Sequence, residues 1–410
     1  MTGPASFRSA CAEHRRGHAL PRAFAIDSEI FAHELETVWY ASWLLAGTSA
    51  QAPEPGDFFR FDLGDDSIVL VRDESGVLHA LHNTCRHRGM PVCPEPSGRA
   101  KRWICPYHQW SYGLDGRLLG CGGMEDQLDP SEHGLHRAVV AEISGLILVW
   151  LGPDPEPLGD AGDQLRLALA SQGLDRAKVA HQIDYDVAAN WKLVWENNRE
   201  CWHCNAGHPQ YVRANFDSAP DSERMRGLAA TRARAHEQVL AGTAEASDAQ
   251  VLEHAQPGLY SFPTPGRWWS ANRTPMAEGF VTESIDGSPV APLMGDYTGY
   301  DVGTLRVRTV PSFWCHASAD HAVLTRLAPL TAERTAIRVQ WLVDRNAQEG
   351  RDYDLQLLLP FWQLTSEQDW ALCERNHTGV RNPAFTPGPY SRQREHNVIA
   401  FVDWYLGRMR

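Results

Sequence analysis

Two short loops, each offering one cysteine and one histidine, constrain this chain more than any other feature. Cys85-Arg86-His87 is followed, after seventeen further residues, by Cys105-Pro106-Tyr107-His108. Cys-x-His puts its two side chains on one side of an extended loop, and Cys-x2-His does the same across a tight turn. Thiolate and neutral imidazole are both good metal ligands, so the fold must bring the two loop tips together. Two products meet that demand. One is a structural zinc site of the Cys2His2 type. The other is a [2Fe–2S] cluster, which needs four protein ligands and whose reduction potential rises when two of them are His on one iron. Spacing alone leaves both open.

A second constellation lies in the run WENNRECWHCNAGHPQYVRANFD, which contains His203 and His208. On an unbroken helix, side chains five residues apart diverge by about 140°. They meet at one metal if the helix breaks between them, and Gly207 and Pro209 on either side of His208 supply that break. Two His and one carboxylate on one face of an iron leave positions open for oxygen and substrate. The third ligand is expected elsewhere in the chain, and FWQLTSEQDWALCERNHTGV offers Glu367, Asp369 and Glu374. Cys201 and Cys204 form a Cys-x2-Cys pair around His203, a pattern that also occurs in zinc and redox-dithiol sites. No second Cys pair at zinc spacing accompanies it.

The two-part pattern C-R-H-R-G and C-P-Y-H-Q-W closely resembles the cluster-binding signature of Rieske proteins, and with the His203/His208 run the chain resembles the Rieske non-heme iron oxygenases. That resemblance implies that Cys85 and Cys105 hold one iron of the cluster and that His87 and His108 hold the other. It selects Asp369 as the third ligand of a mononuclear Fe(2+), because Asp369, Glu374 and Gly379 match the family's C-terminal helix. It leaves Cys201 and Cys204 without a ligand role. It gives Glu200, three residues before His203, the task of bridging a cluster His of one subunit to an iron-ligand His of its neighbour. A carboxylate does this by accepting a hydrogen bond from each ring.

The resemblance also implies an α+β fold: an N-terminal all-β Rieske domain, then a C-terminal helix-grip catalytic domain with helices along an antiparallel sheet. It implies a homotrimer, and electrons drawn from NAD(P)H through a flavin/iron–sulfur reductase or a ferredoxin. Within the family, NWKLVWENNRECWHCNAGHPQYVRANFD and EGFVTESIDGSPVAPLMG look most like the branch that oxidises glycine betaine, proline betaine and choline. The activity this implies is O2-dependent hydroxylation of a small amine, with N-demethylation where the oxidised carbon is an N-methyl. Hydroxylation of an aromatic or natural-product scaffold is the alternative. An electron carrier without a second iron is the alternative of another class. A quaternary ammonium donates no hydrogen bond and is held by aromatic faces, for which Trp202, Phe216, Tyr260, Phe262, Trp268 and Trp269 are available.

Bulk properties narrow the setting. The 410 residues carry 38 basic and 51 acidic side chains, a net charge of −13, which argues against nucleic acid or an anionic membrane as partner. No apolar run is long enough to span a bilayer, and the N-terminus lacks the apolar core of a secretory signal. Nine scattered cysteines argue against a disulfide framework and for a reducing cytoplasm. Turn signals and short strand-like runs divide the chain into a helical lead-in over 1–45, a β-rich unit over 46–152 and a larger unit over 153–410. The Pro/Gly/Asp stretch GPDPEPLGDAGD marks the second boundary. Helices are expected over about Ala188–Cys201, through 220–256, and over about Gln348–Val380.

Overall fold

The computed structural model describes residues 3–216 and 268–410, with a few helical residues between them (223, 224, 227, 228, 230 and 231). The expectation of helix through 220–256 falls largely outside the described residues, as do Tyr260 and Phe262. The chain forms two compact units, Tyr40–Glu156 and a larger one made of Met1–Trp39 with Pro157–Arg410.

The small unit is all β. Its strands are β1 (Leu44–Thr48), β2 (Asp57–Leu63), β3 (Asp66–Arg72), β4 (Leu78–His82), β5 (Ser97–Arg99), β6 (Trp103–Ile104), β7 (Ser111–Tyr112), β8 (Leu118–Gly120), β9 (Val139–Ile143) and β10 (Leu146–Trp150). They build three sheets in the orders β1-β10-β9, β4-β3-β2-β5 and β6-β7-β8. Local chemistry sets the registers. Leu63 pairs with Asp66 across Gly64-Asp65, and Ile143 pairs with Leu146 across Ser144-Gly145. Ser144 and Gly145 both have positive φ, which two-residue hairpins favour because their backbone twist then matches the strands. In β2, Phe59, Phe61 and Leu63 point inward while Arg60 and Asp62 do not, and the run GLILVW becomes β10 with every residue buried. The end of the lead-in is strand rather than helix: Leu44 and Leu45 pair with β10.

The larger unit is α+β. A six-stranded antiparallel sheet runs in the order β11 (Ala177–Val187), β16 (Arg334–Asp344), β15 (Ala322–Thr331), β14 (Phe313–Ala317), β13 (Thr304–Thr309), β12 (Trp269–Thr274). The expected C-terminal helix divides at Pro360. A turn over Leu355–Leu358 comes first, then a 22-residue helix over Pro360–Arg381 with Pro360 in its first turn, where a missing N–H costs nothing. The helix expected over Ala188–Cys201 is shorter, Trp191–Asn198, because Asn190 is its N-cap and accepts from Lys192 N–H at 3.0 Å.

The N-terminal helices join this unit through a buried charge. Glu34 is fully buried. It accepts from Lys192 Nζ at 2.5 Å, Trp191 Nε1 at 2.8 Å and Tyr405 OH at 2.6 Å. Burial lowers the Lys192 pKa and the Glu34 charge opposes that shift. Glu34→Ala would leave the Lys192 ammonium buried without its counter-charge, at a cost of about 3–5 kcal/mol. Calorimetry of the variant is expected to show a clear fall in the unfolding midpoint, whereas Glu34→Gln, which keeps an acceptor, should lose less.

Candidate metal centres and the adjoining pocket

In the small unit the two Cys/His loops follow β4 and β6 and have the same backbone wiring. Cys85 N–H donates to Met90 O at 2.9 Å and Cys105 N–H donates to Trp110 O at 2.8 Å. Four residues on, Gly89 N–H donates back to Cys85 O at 2.9 Å and Gln109 N–H to Cys105 O at 3.0 Å. That geometry needs positive φ at the same position of each loop, +79° at Gly89 and +62° at Gln109. Sequence reading found the metal-binding pattern but not this equivalence, because one loop meets the demand with glycine and the other does not.

The loops present a polarised donor set. Cys85 and Cys105 are buried, while His87 is half-buried and His108 exposed. The rings of His87 and His108 lie 4.6 Å apart between centroids, and His87 stacks on Trp110 at 5.1 Å. Tyr112 OH lies 3.2 Å from Cys85 Sγ and accepts from Arg86 N–H at 3.1 Å. Burial raises the Cys105 pKa, and Cys85 beside it adds to the rise. Nδ1 of His87 is buried without a protein hydrogen-bond partner among the described residues. An orphaned ring nitrogen of this kind calls for a partner the protein does not supply. Two inner sulfurs and two outer imidazoles fit a [2Fe–2S] cluster ligated by Cys on one side and His on the other.

In the larger unit the helix breaks where Gly207 and Pro209 predict. Short helices over Cys204–Gly207 and Pro209–Ala214 meet at His208, whose φ/ψ of −134°/69° is not helical. The break turns the His208 ring toward His203, with centroids 5.2 Å apart. Both rings aim Nε2 at one atom of the Pro360–Arg381 helix: Asp369 Oδ1 lies 3.2 Å from His203 Nε2 and 2.8 Å from His208 Nε2. The opposite ring nitrogens are occupied. His203 Nδ1–H donates to Glu200 Oε1, and His208 Nδ1–H donates to Gln368 Oε1 at 2.8 Å. Gln368 is held in turn by Gln210 Nε2 at 3.0 Å. Each imidazole is thereby fixed with its Nε2 turned toward the carboxylate, the arrangement in which an outer acceptor orients a metal-binding His.

The electrostatics agree. Burial pulls the His203 pKa down, but hydrogen bonds to Asp369 and Glu200, and the charge on both, push it up to about 10. His208 is raised in the same way by Asp369 and Gln368 against burial. Burial would raise the Asp369 pKa, and the two imidazoles instead hold it below its ordinary value. Protons and divalent cations compete for the same electron pairs, so this donor set fits a cation. The two neighbouring carboxylates are engaged elsewhere: Glu367 accepts from Gln363 Nε2 at 3.0 Å and Glu374 from Ala188 N–H at 3.0 Å. Cys204 Sγ lies 3.9 Å from His203 Nε2. It is joined to Cys201 in a disulfide, so it offers no thiolate, and the other described cysteines are free.

A pocket opens beside this group. Among the described residues it is lined by Tyr211, Trp314, Trp362 and Trp370, by Arg308 and His316, and by His203, His208 and Asp369 themselves. Of the aromatic residues singled out in the sequence, the four that are described, Trp202, Phe216, Trp268 and Trp269, do not line it. Trp202 is 55% exposed, Phe216 and Trp269 are buried elsewhere, and Trp268 is half-buried. The signal that would have found the true walls is positional. Trp362 precedes Asp369 by seven residues, two helical turns. Arg308 pairs with Trp314, and Arg306 with His316, so all four side chains share one face of the sheet.

With this geometry in hand, comparison with known proteins gives a definite result. Residues 42–127 match the Rieske [2Fe-2S] domain, and residues 174–410 match the ring hydroxylating alpha subunit (catalytic domain). The chain belongs to the Rieske non-heme iron oxygenases, as an oxygenase subunit with a [2Fe–2S] domain and a mononuclear iron domain. It is 38% identical to the glycine betaine monooxygenase oxygenase subunit of Chromohalobacter salexigens, over 96% of this chain and 86% of that one. It is 36% identical to the subunit of the same name from Pseudomonas aeruginosa, over 95% and 89%. A quaternary ammonium Rieske monooxygenase solved with L-carnitine shares the fold at a TM-score of 0.72 and 18% identity, with both chains fully covered.

If Gln368 orients His208 as its hydrogen bond indicates, Gln368→Leu should weaken iron binding in the larger unit by about 10–100-fold. Titration of the iron-depleted variant with Fe(2+) measures this. The visible spectrum of the cluster is expected to stay unchanged.

Proposed function

We propose that this chain is the terminal oxygenase of a system that N-demethylates a small betaine. The observation that carries this reading is the pocket: aromatic walls and a guanidinium stand beside one carboxylate and two imidazoles. Aromatic faces suit a quaternary ammonium, and the Arg308 guanidinium suits a carboxylate. A ligand with both groups finds a partner for each in the same pocket. The relatives named as glycine betaine monooxygenase oxygenase subunits support the same substrate class.

In this reading Cys85, Cys105, His87 and His108 hold the cluster, and His203, His208 and Asp369 hold the mononuclear iron. When bound, the cluster supplies electrons singly and the iron supplies the site at which dioxygen oxidises a substrate C–H bond. The chain's own residues do the rest. Glu200 and Gln368 keep both Nε2 atoms turned inward. Trp314, Trp362 and Trp370 exclude water from the methyl groups, and Arg308 fixes the carboxylate so that an N-methyl, rather than the methylene, is presented to Asp369. On a betaine the hydroxylated N-methyl is an N-hydroxymethyl ammonium, which loses formaldehyde and a proton and leaves the tertiary amine.

We further place the protein in the cytoplasm, as a homotrimer fed by a flavin/iron–sulfur reductase or ferredoxin that draws on NAD(P)H. Among the described residues no helix is long and apolar enough to cross a membrane. Glu200 supports the trimer reading in part, since Oε1 already accepts from His203 Nδ1–H as a bridge requires.

Oxygen uptake and formaldehyde release, measured with betaines, choline and aromatic acids as substrates, test the proposal. Formaldehyde from a betaine is the expected result, and oxygen uptake with aromatic acids alone contradicts it. Loss of one charge-assisted hydrogen-bonded pair corresponds to about 10–100-fold. Arg308→Gln should therefore raise KM for glycine betaine by that factor while leaving KM for choline nearly unchanged.

A further inference from the structure

The run EGFVTESIDGSPVAPLMG carries the family resemblance without an evident task, and Glu283 within it is a charged side chain only 1% exposed. An ionised carboxylate is costly to bury unless its oxygens are satisfied. Here they are. Oε2 accepts from Trp362 Nε1–H at 3.1 Å, and Oε1 accepts from Asn215 Nδ2–H at 3.2 Å and His316 Nδ1–H at 3.4 Å. Burial favours the neutral acid, but the His316 donor and the Arg306 charge outweigh it and keep the pKa below its ordinary value. Burial pushes His316 down to about 4, so the imidazole is neutral near pH 7.

Two of these three donors belong to the pocket wall. Trp362 and His316 both line it, with ring centroids 4.4 Å apart. Glu283 is not itself in the pocket lining and stands at the N–H edges of two rings that are. A carboxylate in that place does two things. It fixes the indole by its only polar atom, so the ring cannot turn in its slot. It also places negative charge at the N–H edge of the ring, where a hydrogen bond to an anion draws the N–H proton outward and makes the ring face more electron-rich. Attraction of a cation to an aromatic face is electrostatic, and a charge at the ring edge in a poorly polarisable interior is felt at that face far more than it would be through water.

We propose that Glu283 is a positioning residue that tunes the Trp362/His316 wall for a quaternary ammonium group and thereby discriminates a cation from an uncharged group of the same shape. This rests on the reading of the pocket as an amine site and deepens it. The same wall without Glu283 would still hold a bulky apolar group. The carboxylate is what makes a positive charge on that group favourable.

Two ligand pairs that differ only in this charge provide the test: glycine betaine against 3,3-dimethylbutanoate, and choline against 3,3-dimethylbutan-1-ol. Dissociation constants are measured by calorimetry on the full, iron-replete chain with the cluster oxidised, so no turnover occurs. Glu283→Gln keeps an acceptor for the indole N–H and removes the charge. It is expected to weaken the trimethylammonium member of each pair about 10-fold and to move its tert-butyl analogue less than 2-fold, with iron content unchanged. Trp362→Phe, which keeps a ring and removes the N–H link, should show a smaller loss of the same selectivity. Equal weakening of both members in both variants, or no change in either, overturns the proposal. The substrate reading fails separately: wild-type protein that prefers choline to glycine betaine contradicts the betaine assignment, yet the choline pair still decides the role of Glu283.

Discussion

One carboxylate oxygen, Oδ1 of Asp369, organises the larger unit. Two imidazole nitrogens reach it from a segment more than 160 residues earlier in the chain, at 2.8 and 3.2 Å. A helix alone could not deliver both. The chain breaks helix at His208 between Gly207 and Pro209, and the break converts a divergence of about 140° into convergence. The 22-residue helix carrying Asp369 is long enough to present Trp362, Thr365, Ser366 and Trp370 to the same pocket. The β13–β14 pair closes it with Arg308, Trp314 and His316. The fold brings a sheet face, a long helix and a broken helix to one point, and that point is where a carboxylate and two imidazole nitrogens meet.

The small unit solves a different problem with repetition. Two loops of different sequence adopt one hydrogen-bonding scheme around their cysteines, so the sulfurs point inward and the imidazoles outward. The buried sulfurs are shielded from water by a core that includes Phe58, Trp103, Trp110 and Tyr112. The half-buried and exposed histidines stand where a partner can approach. Cys85, Cys105, His87 and His108 would hold a [2Fe–2S] cluster there with its histidine side toward the surface, and such a cluster would supply electrons singly.

Much of this was legible in the sequence, and the reasons differ by element. The Cys/His loops and the break at His208 are local: a few adjacent residues contain the whole constraint. The strands β13, β15 and β16 are rich in β-branched and apolar residues over Thr304–Thr309, Ala322–Thr331 and Arg334–Asp344, a local signal that a sequence carries by itself. Asp369 was not legible from spacing, because Glu367 and Glu374 stand on the same stretch, and only the family resemblance singled it out. The aromatic walls of the pocket that are described were missed. Which tryptophan faces a metal depends on how a sheet face and a helix face are brought together, and nothing within FWCHA or PFWQLTS states that. Gln368, Glu283 and the disulfide between Cys201 and Cys204 belong to the same class: each has its meaning through neighbours that only the folded chain supplies.

The central claim is that the meeting point of His203, His208 and Asp369 holds an iron distinct from the cluster. Iron stoichiometry combined with the EPR spectrum of the reduced protein tests it most directly, in wild type and in His208→Ala. The account predicts three irons per chain falling to two in the variant, with the cluster signal intact. Three irons in both proteins, or loss of the cluster signal together with the third iron, would contradict it.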